Sequence, residues 1–141
     1  MRAVLQRASR ASVTADGVLT ASFERQGIVA LVGVTHGDTG AEAEVIARKI
    51  ADLRILDGEL SVSDVGAPVI VVSQFTLYAD TRKGRRPSWN GAAPGPVAEP
   101  LVEAVVTSLR ARGLEVGTGV FGAHMDVDLV NDGPITIVLE T

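Results

Sequence analysis

The segment that most limits how this chain can fold is Asn131-Asp132-Gly133-Pro134-Ile135-Thr136. Apolar, strand-like runs flank it, Val127 to Val130 before and Ile135 to Leu139 after. Asn, Asp and Gly are turn residues, so the segment reads as the loop of a β-hairpin. Proline has no N–H to give to a sheet ladder, so Pro134 belongs at a sheet edge or in the turn itself. Spacing alone leaves the Gly-Pro peptide at its trans default, since only about 5–6% of X-Pro bonds in folded proteins are cis.

The 141 residues suit one domain, 1–141, with a real core. A hydrophobic content of 46% against 21% charged residues is that of a soluble globular protein. There is no cysteine, which excludes disulfides and thiolate metal sites and fits a cytosolic protein. The opening MRAVLQRASR has scattered arginines and no apolar stretch, unlike a signal peptide. The longest apolar run, Ile28 to Val34, is broken by Gly33 and is far too short to span a membrane. No membrane association and a cytoplasmic location are expected. The net charge of −4 argues against general nucleic-acid binding, so any RNA contact must be local.

Residues 2–14 alternate loosely and suggest a first strand. Asp16-Gly17 is a hairpin signal, with Val18 to Phe23 returning. Gly27 to Val34 is a continuous apolar run, consistent with a strand buried on both faces. Thr39-Gly40-Ala41-Glu42 has capping-box spacing, and Ala43, Ile46, Ala47, Ile50 and Leu53 follow at helical spacing. Asp57-Gly58 is another turn, and Pro68 to Phe75 another strand. Residues 78–96 carry three glycines and three prolines and read as a long functional loop. A second helix runs from Val97 to Arg112 on a stripe of Leu101, Val102, Val105 and Leu109, with Pro100 in its first turn and Gly113 as its stop. Strands follow near Leu114 to Val116, at Met125 to Val130 and at Ile135 to Leu139. The expected fold is α+β, a mostly antiparallel, barrel-like sheet with two helices.

Gly117-Thr118-Gly119-Val120-Phe121-Gly122 matches GxGxxG, but the dinucleotide fingerprint needs a helix to start there. The following residues alternate like a strand, which removes that reading. The same alternation puts His124, Asp126 and Asp128 on one strand face. With no second cluster to add ligands, that face reads as solvated, and neither metal nor cofactor is expected. His36 lies in a loop, and there is no GxSxG elbow. Ser73 and Thr76 leave an apolar strand where it opens into the Gly/Pro-rich loop, yet no base is visible beside them. Backbone N–H donors around a developing oxyanion would suit an activated ester without a side-chain nucleophile. Arg82, Lys83, Arg85 and Arg86 put four of the thirteen basic residues within five positions, a natural phosphate contact.

Ser73-Gln74-Phe75-Thr76-Leu77 together with Asn131-Asp132-Gly133-Pro134-Ile135-Thr136 resembles the D-aminoacyl-tRNA deacylase family, whose signatures are SQFTL and NxGPxT. The likeness extends over Met1 to Arg7, Ala11 to Thr14, Ala79 to Arg82 and Arg86-Pro87-Ser88. It implies a homodimer acting on aminoacylated tRNA, with a cis Gly133-Pro134 peptide inserted into the partner's active site. It implies pocket roles for Ser73, Gln74, Phe75 and Thr76, and completion of the second motif by Asn131 and Thr136. Arg7, a lone arginine in an apolar strand context, reads by itself as a surface side chain; in the resemblance Arg7, Phe121 and Met125 match positions around that site. Trp89 departs from the phenylalanine usual after Pro-Ser. The expected activity is hydrolysis of D-aminoacyl-tRNA and glycyl-tRNA, with L-aminoacyl esters rejected by clash. The alternatives are a binding module without catalysis and an ordinary serine esterase using His36 or His124.

Overall fold

In the computed structural model, which describes residues 1–141, the sheet is assembled on β1, Arg2–Ala15. One edge of β1 pairs antiparallel first with β3, Gly27–Gly33, and then with β2, Val18–Phe23. β6, Met125–Glu140, pairs antiparallel along almost its whole length. β3 continues the sheet into β4, Val69–Ser73, and β4 into β5, Val116–Thr118, both in parallel. The open edges of β2 and β5 then approach each other. A Cβ on Gly117 would lie 2.7 Å from Ala21 Cβ, so the sheet is a nearly closed barrel.

The sheet is thus mixed rather than mostly antiparallel. Parallel neighbours need a crossover, and helices supply it. α1, Gly40–Asp52, lies between β3 and β4; α3, Gly95–Ala111, lies between β4 and β5. This layering explains the uninterrupted apolar runs. Ile28, Ala30, Val32, Val69 and Val71 pack in the core that includes α1 and α3. Val29, Ile70 and Val72 point the other way, into a barrel interior closed by Ala11, Val13 and Phe23. Strands buried on both faces are the mark of parallel pairing.

α1 starts at the expected capping box: Thr39 and Glu42 bond each other's backbone, and Ala43, Ile46, Ala47 and Ile50 are buried. A third helix was not expected. It is α2, Val62–Val65, a single turn capped by Ser61 and Asp64 and ended by Gly66 in the left-handed region. One turn shows no periodicity to read. α3 starts at Gly95, two residues before the expected start, which places Pro100 inside the helix rather than in its first turn. β5 begins at Val116, and β4 ends at Ser73. No helix is long and apolar enough to cross a membrane.

The largest correction concerns the C-terminal segment. No hairpin forms at Asn131 to Thr136; β6 runs straight through it. Between the pairs Gln6–Thr136 and Arg10–Val130, β1 has three residues and β6 has five. The excess makes a bulge, and the bulge takes up the proline, which a ladder cannot hold. The Gly133-Pro134 peptide is cis.

Gly27, at the start of β3, lies close against Pro68, the residue before β4. A Cβ there would sit 2.5 Å from the Pro68 carbonyl oxygen, which already accepts from the Ile28 N–H. That oxygen is backbone and cannot step aside, and the Pro68 ring follows at 2.8 Å. Gly27→Ala is therefore expected to lower the unfolding free energy by about 1–3 kcal/mol, the usual range for overpacking, as measured by urea titration.

Candidate active site

The site lies at the carboxyl end of β4, where the chain leaves the sheet. Ser73 is the last strand residue, and the Gln74 N–H still bonds Val32 at 2.8 Å. The chain then tightens into a 3₁₀ turn, Phe75–Tyr78. Gly33 permits the close approach, since a Cβ there would stand 2.9 Å from the Gln74 carbonyl oxygen. The N–H groups of Phe75 and Thr76 open the turn and donate to no acceptor within the protein, as the first N–H groups of a helix must.

A cavity of about 350 Å³ opens beside this turn, bordered by Ser73, Gln74, Phe75, Trp89, Ala98 and Phe121. Phe75 and Trp89 meet edge to face, ring centres 5.5 Å apart, the preferred aromatic geometry. Both are near half exposed, at 55% and 43%, so they form a rim rather than a core. The wall at Trp89 to Ala93 is held by the preceding turn. Thr35 donates to the Gly91 carbonyl at 2.6 Å, Ala93 donates to Val34 at 2.9 Å, and the His36 ring bonds the Asn90 carbonyl at 2.8 Å. A second cavity, about 240 Å³, shares Ser73, Val102 and Phe121 with the first and reaches Met125.

Of the expected site residues, Ser73, Gln74, Phe75, Phe121 and Met125 border these two cavities. Thr76 lies in the same turn, but its hydroxyl is engaged by the Gln74 amide and does not border either cavity. No histidine joins Ser73 or Thr76. His36 is held on Asn90, and His124 stands 3.4 Å from Asp126 in an exposed pair. The GxGxxG segment is β5 and a turn followed by β6, with no helix.

The basic loop adjoins the rim. Asp80 and Ser88 exchange backbone bonds of 2.8 and 3.0 Å, closing the loop immediately before Trp89. Arg82 is not free: it folds onto Asp80 at 2.6 and 2.9 Å and holds that carboxyl well below the usual carboxylate range. Lys83, Arg85 and Arg86 are exposed.

Arg7, Asn131, Gly133, Pro134 and Thr136 lie elsewhere. Arg7 is not the surface side chain that its strand context suggested; its side chain is 13% exposed. Its guanidinium donates to the carbonyls of Asp132 at 3.0 Å, Gly133 at 3.4 Å and Ile55 at 3.1 Å. Asn131 donates to Arg7 and Ile135 carbonyls at 2.9 and 3.1 Å, bridging the bulge. Arg7 pairs with Ile28 of β3, whereas Ser73 pairs with Val32. The bulge and the cavity are therefore about 13 Å apart along the strands and three spacings of about 5 Å across them. Within one chain the two motifs do not meet.

Several cavity residues were not anticipated. Val32, Val34, Ala92, Ala93 and Val102 border it, and apolar lining carries the same sequence signal as apolar core. Trp89 was visible only as a departure from a motif.

The family model for D-Tyr-tRNA(Tyr) deacylase matches residues 4–140. The chain belongs to that family. A D-aminoacyl-tRNA deacylase of Thermobifida fusca is 64% identical over 140 residues, and one of Kineococcus radiotolerans is 62% identical; each alignment covers 99% of both chains. A solved c-Myc DNA unwinding element binding protein is 39% identical, with a TM-score of 0.90 over 100% of this chain and 99% of the other. A probable eukaryotic D-amino acid tRNA deacylase, 14% identical, superposes with a TM-score of 0.83 over 98% and 97%, and shares the fold. The signature segments of this family member are thus the turn that borders the cavity and the bulge that Arg7 grips.

Tyr78 closes the 3₁₀ turn with the Arg2 guanidinium 4.6 Å above its ring. Partial burial and then the nearby Asp38 carboxylate push its phenol up to about 12, and Arg2 only partly opposes them. It is the chain's one tyrosine, so tyrosinate absorbance reports it alone. The folded protein is expected to titrate near 12, against about 10 for the unfolded chain. The unfolded state gives up the proton first, so stability falls as pH rises from about 10 toward the folded value.

Proposed function

We propose that this chain hydrolyses the ester between a D-amino acid and the 3′ end of tRNA, treats glycyl-tRNA likewise and spares L-aminoacyl-tRNA. Family membership supports the ester class. The observation that carries the chemistry is the pair of unpartnered N–H groups, Phe75 and Thr76, at the mouth of a cavity with no histidine beside Ser73. Water attacks the ester carbonyl carbon, and the carbonyl oxygen gathers charge facing those two donors. The tetrahedral intermediate collapses with release of the ribose oxygen, which takes the proton from the attacking water. The vicinal 2′-hydroxyl of the ribose is placed to assist that transfer. Free D-amino acid and tRNA result.

Chirality requires a second surface. The separation of the bulge from the cavity within one chain supports a two-fold dimer in which Gly133 and Pro134 of each subunit serve the other's cavity. Asn131 and Thr136 hold that segment in its strand. Rigid carbonyls facing the substrate's α-carbon leave room for hydrogen but not for a side chain. A D-residue turns its hydrogen there; an L-residue clashes. Glycine has nothing to clash and is accepted. Lys83, Arg85 and Arg86, with Arg82 braced on Asp80, take the acceptor-stem phosphates beside the rim. Such an enzyme works in the cytoplasm, where charged tRNA is found.

Deacylation assays with matched D-aminoacyl-, glycyl- and L-aminoacyl-tRNA test this reading. Rapid release from the first two and none from the third is expected. Hydrolysis of the L-ester at a similar rate refutes the chiral reading, and inertness toward all three leaves only a binding module.

Thr76 tests the chemistry. Its backbone N–H survives substitution, and its hydroxyl is already engaged by Gln74. Thr76→Ala is therefore expected to keep kcat within about tenfold of the parent, whereas loss of a true nucleophile removes several orders of magnitude. Single-turnover deacylation measures the difference.

A further inference from the structure

Asp132, the variable position inside the NxGPxT motif, is gripped from two sides. Its carboxylate Oδ2 accepts from Gln26 Nε2 at 2.7 Å and lies 3.4 Å from Arg7 Nε. Gln26 stands at the end of the short link between β2 and β3, far from either signature in sequence. Its other amide atom, Oε1, accepts the Asp57 N–H at 3.0 Å. This orientation is set by chemistry: the reversed amide would put oxygen against carboxylate and N–H against N–H. Arg7 reaches the same turn, donating to Ile55 at 3.1 Å and standing 3.7 Å from the Asp57 carboxylate.

The contacts close a ring of Arg7, Asp132, Gln26 and the Ile55–Asp57 turn. Gly133, the next residue after Asp132, offers its carbonyl to the same Arg7. We infer that Gln26 is a positioning residue: through Asp132 it sets the direction of the Gly133 carbonyl, and so the sharpness with which D- and L-esters are told apart. Arg7 alone cannot do this. Its contact to Gly133 is long, at 3.4 Å, and one guanidinium spread over three carbonyls can shift among them. The Gln26 bond is the short one, and its carboxylate acceptor makes it charge-assisted. Gln26 touches no substrate; it acts at a distance of two residues. The inference rests on the proposed chiral role of the Gly133-Pro134 segment.

The test compares kcat/KM for a D-ester and its L-enantiomer on the full-length chain. Gln26→Glu sets a second carboxylate against Asp132 and is expected to lower the D-to-L ratio by about tenfold, the worth of one charge-assisted hydrogen bond. Adding Asp132→Asn restores a donor opposite the new acceptor, and the ratio is expected to recover in the double variant. Asp132→Asn alone keeps an acceptor for Gln26 but loses the charge, so it provides an intermediate value should Gln26→Glu fold poorly. A fall in thermal midpoint with an unchanged ratio in Gln26→Glu, or no recovery in the double variant, overturns the inference. A parent protein that already cleaves L-esters as fast as D-esters instead refutes the proposed function, so the two failures are distinguishable.

Discussion

The backbone ladder of β1 organises the molecule. One edge carries β3 and β2 end to end, and β6 adds its own antiparallel ladder. Because β6 pairs both before and after the bulge, its two extra residues have nowhere to be absorbed except outward. Arg7 sits opposite them with its guanidinium turned into the gap. A strand interrupted by a turn would leave Gly133-Pro134 on a mobile tip. A strand that continues on both sides holds the same dipeptide in place at an exposed bulge.

The parallel pair β3 and β4 does the corresponding work for the cavity. Their carboxyl ends stop together, Val32 beside Ser73, and the chain turns into the 3₁₀ segment at once. Ends of parallel strands are where open α/β sheets place their ligands, because the crossover connections leave a crevice there. Here the crevice is roofed by the start of α3 and by Trp89. The fold thus builds its two signature segments apart, one at a sheet end and one at a sheet edge.

Much of this was legible beforehand. The apolar run at Gly27 to Val34 announced a strand buried on both faces, Pro68 to Phe75 announced another strand, and the capping box at Thr39 announced α1. The hairpin signals at Asp16-Gly17 and Asn131 to Gly133 led to a mostly antiparallel expectation, whereas double burial of these strands goes with the parallel pairing of β3 and β4. The hairpin reading of Asn131 to Thr136 failed because turn residues also make bulges, and only the partner strand distinguishes the two. Arg7 looked like a surface residue because nothing local reveals five carbonyl and carboxylate oxygens converging from Ile55, Asp57, Asp132 and Gly133.

The sequence by itself determined the family, the two long helices and most strand positions to within a few residues, and the two motifs. These rest on local spacing and on short runs of specific residues, which are properties of neighbours along the chain. Only the tertiary structure decided that Gln26 and Asp57 belong with Asp132, that Arg82 is spent on Asp80, and that the two motifs do not meet within one chain. Those relations join residues as much as 106 positions apart. A hydrogen bond depends on distance and direction in space, and neither is written in the order of residues until the register of β1 brings the ends of the chain side by side.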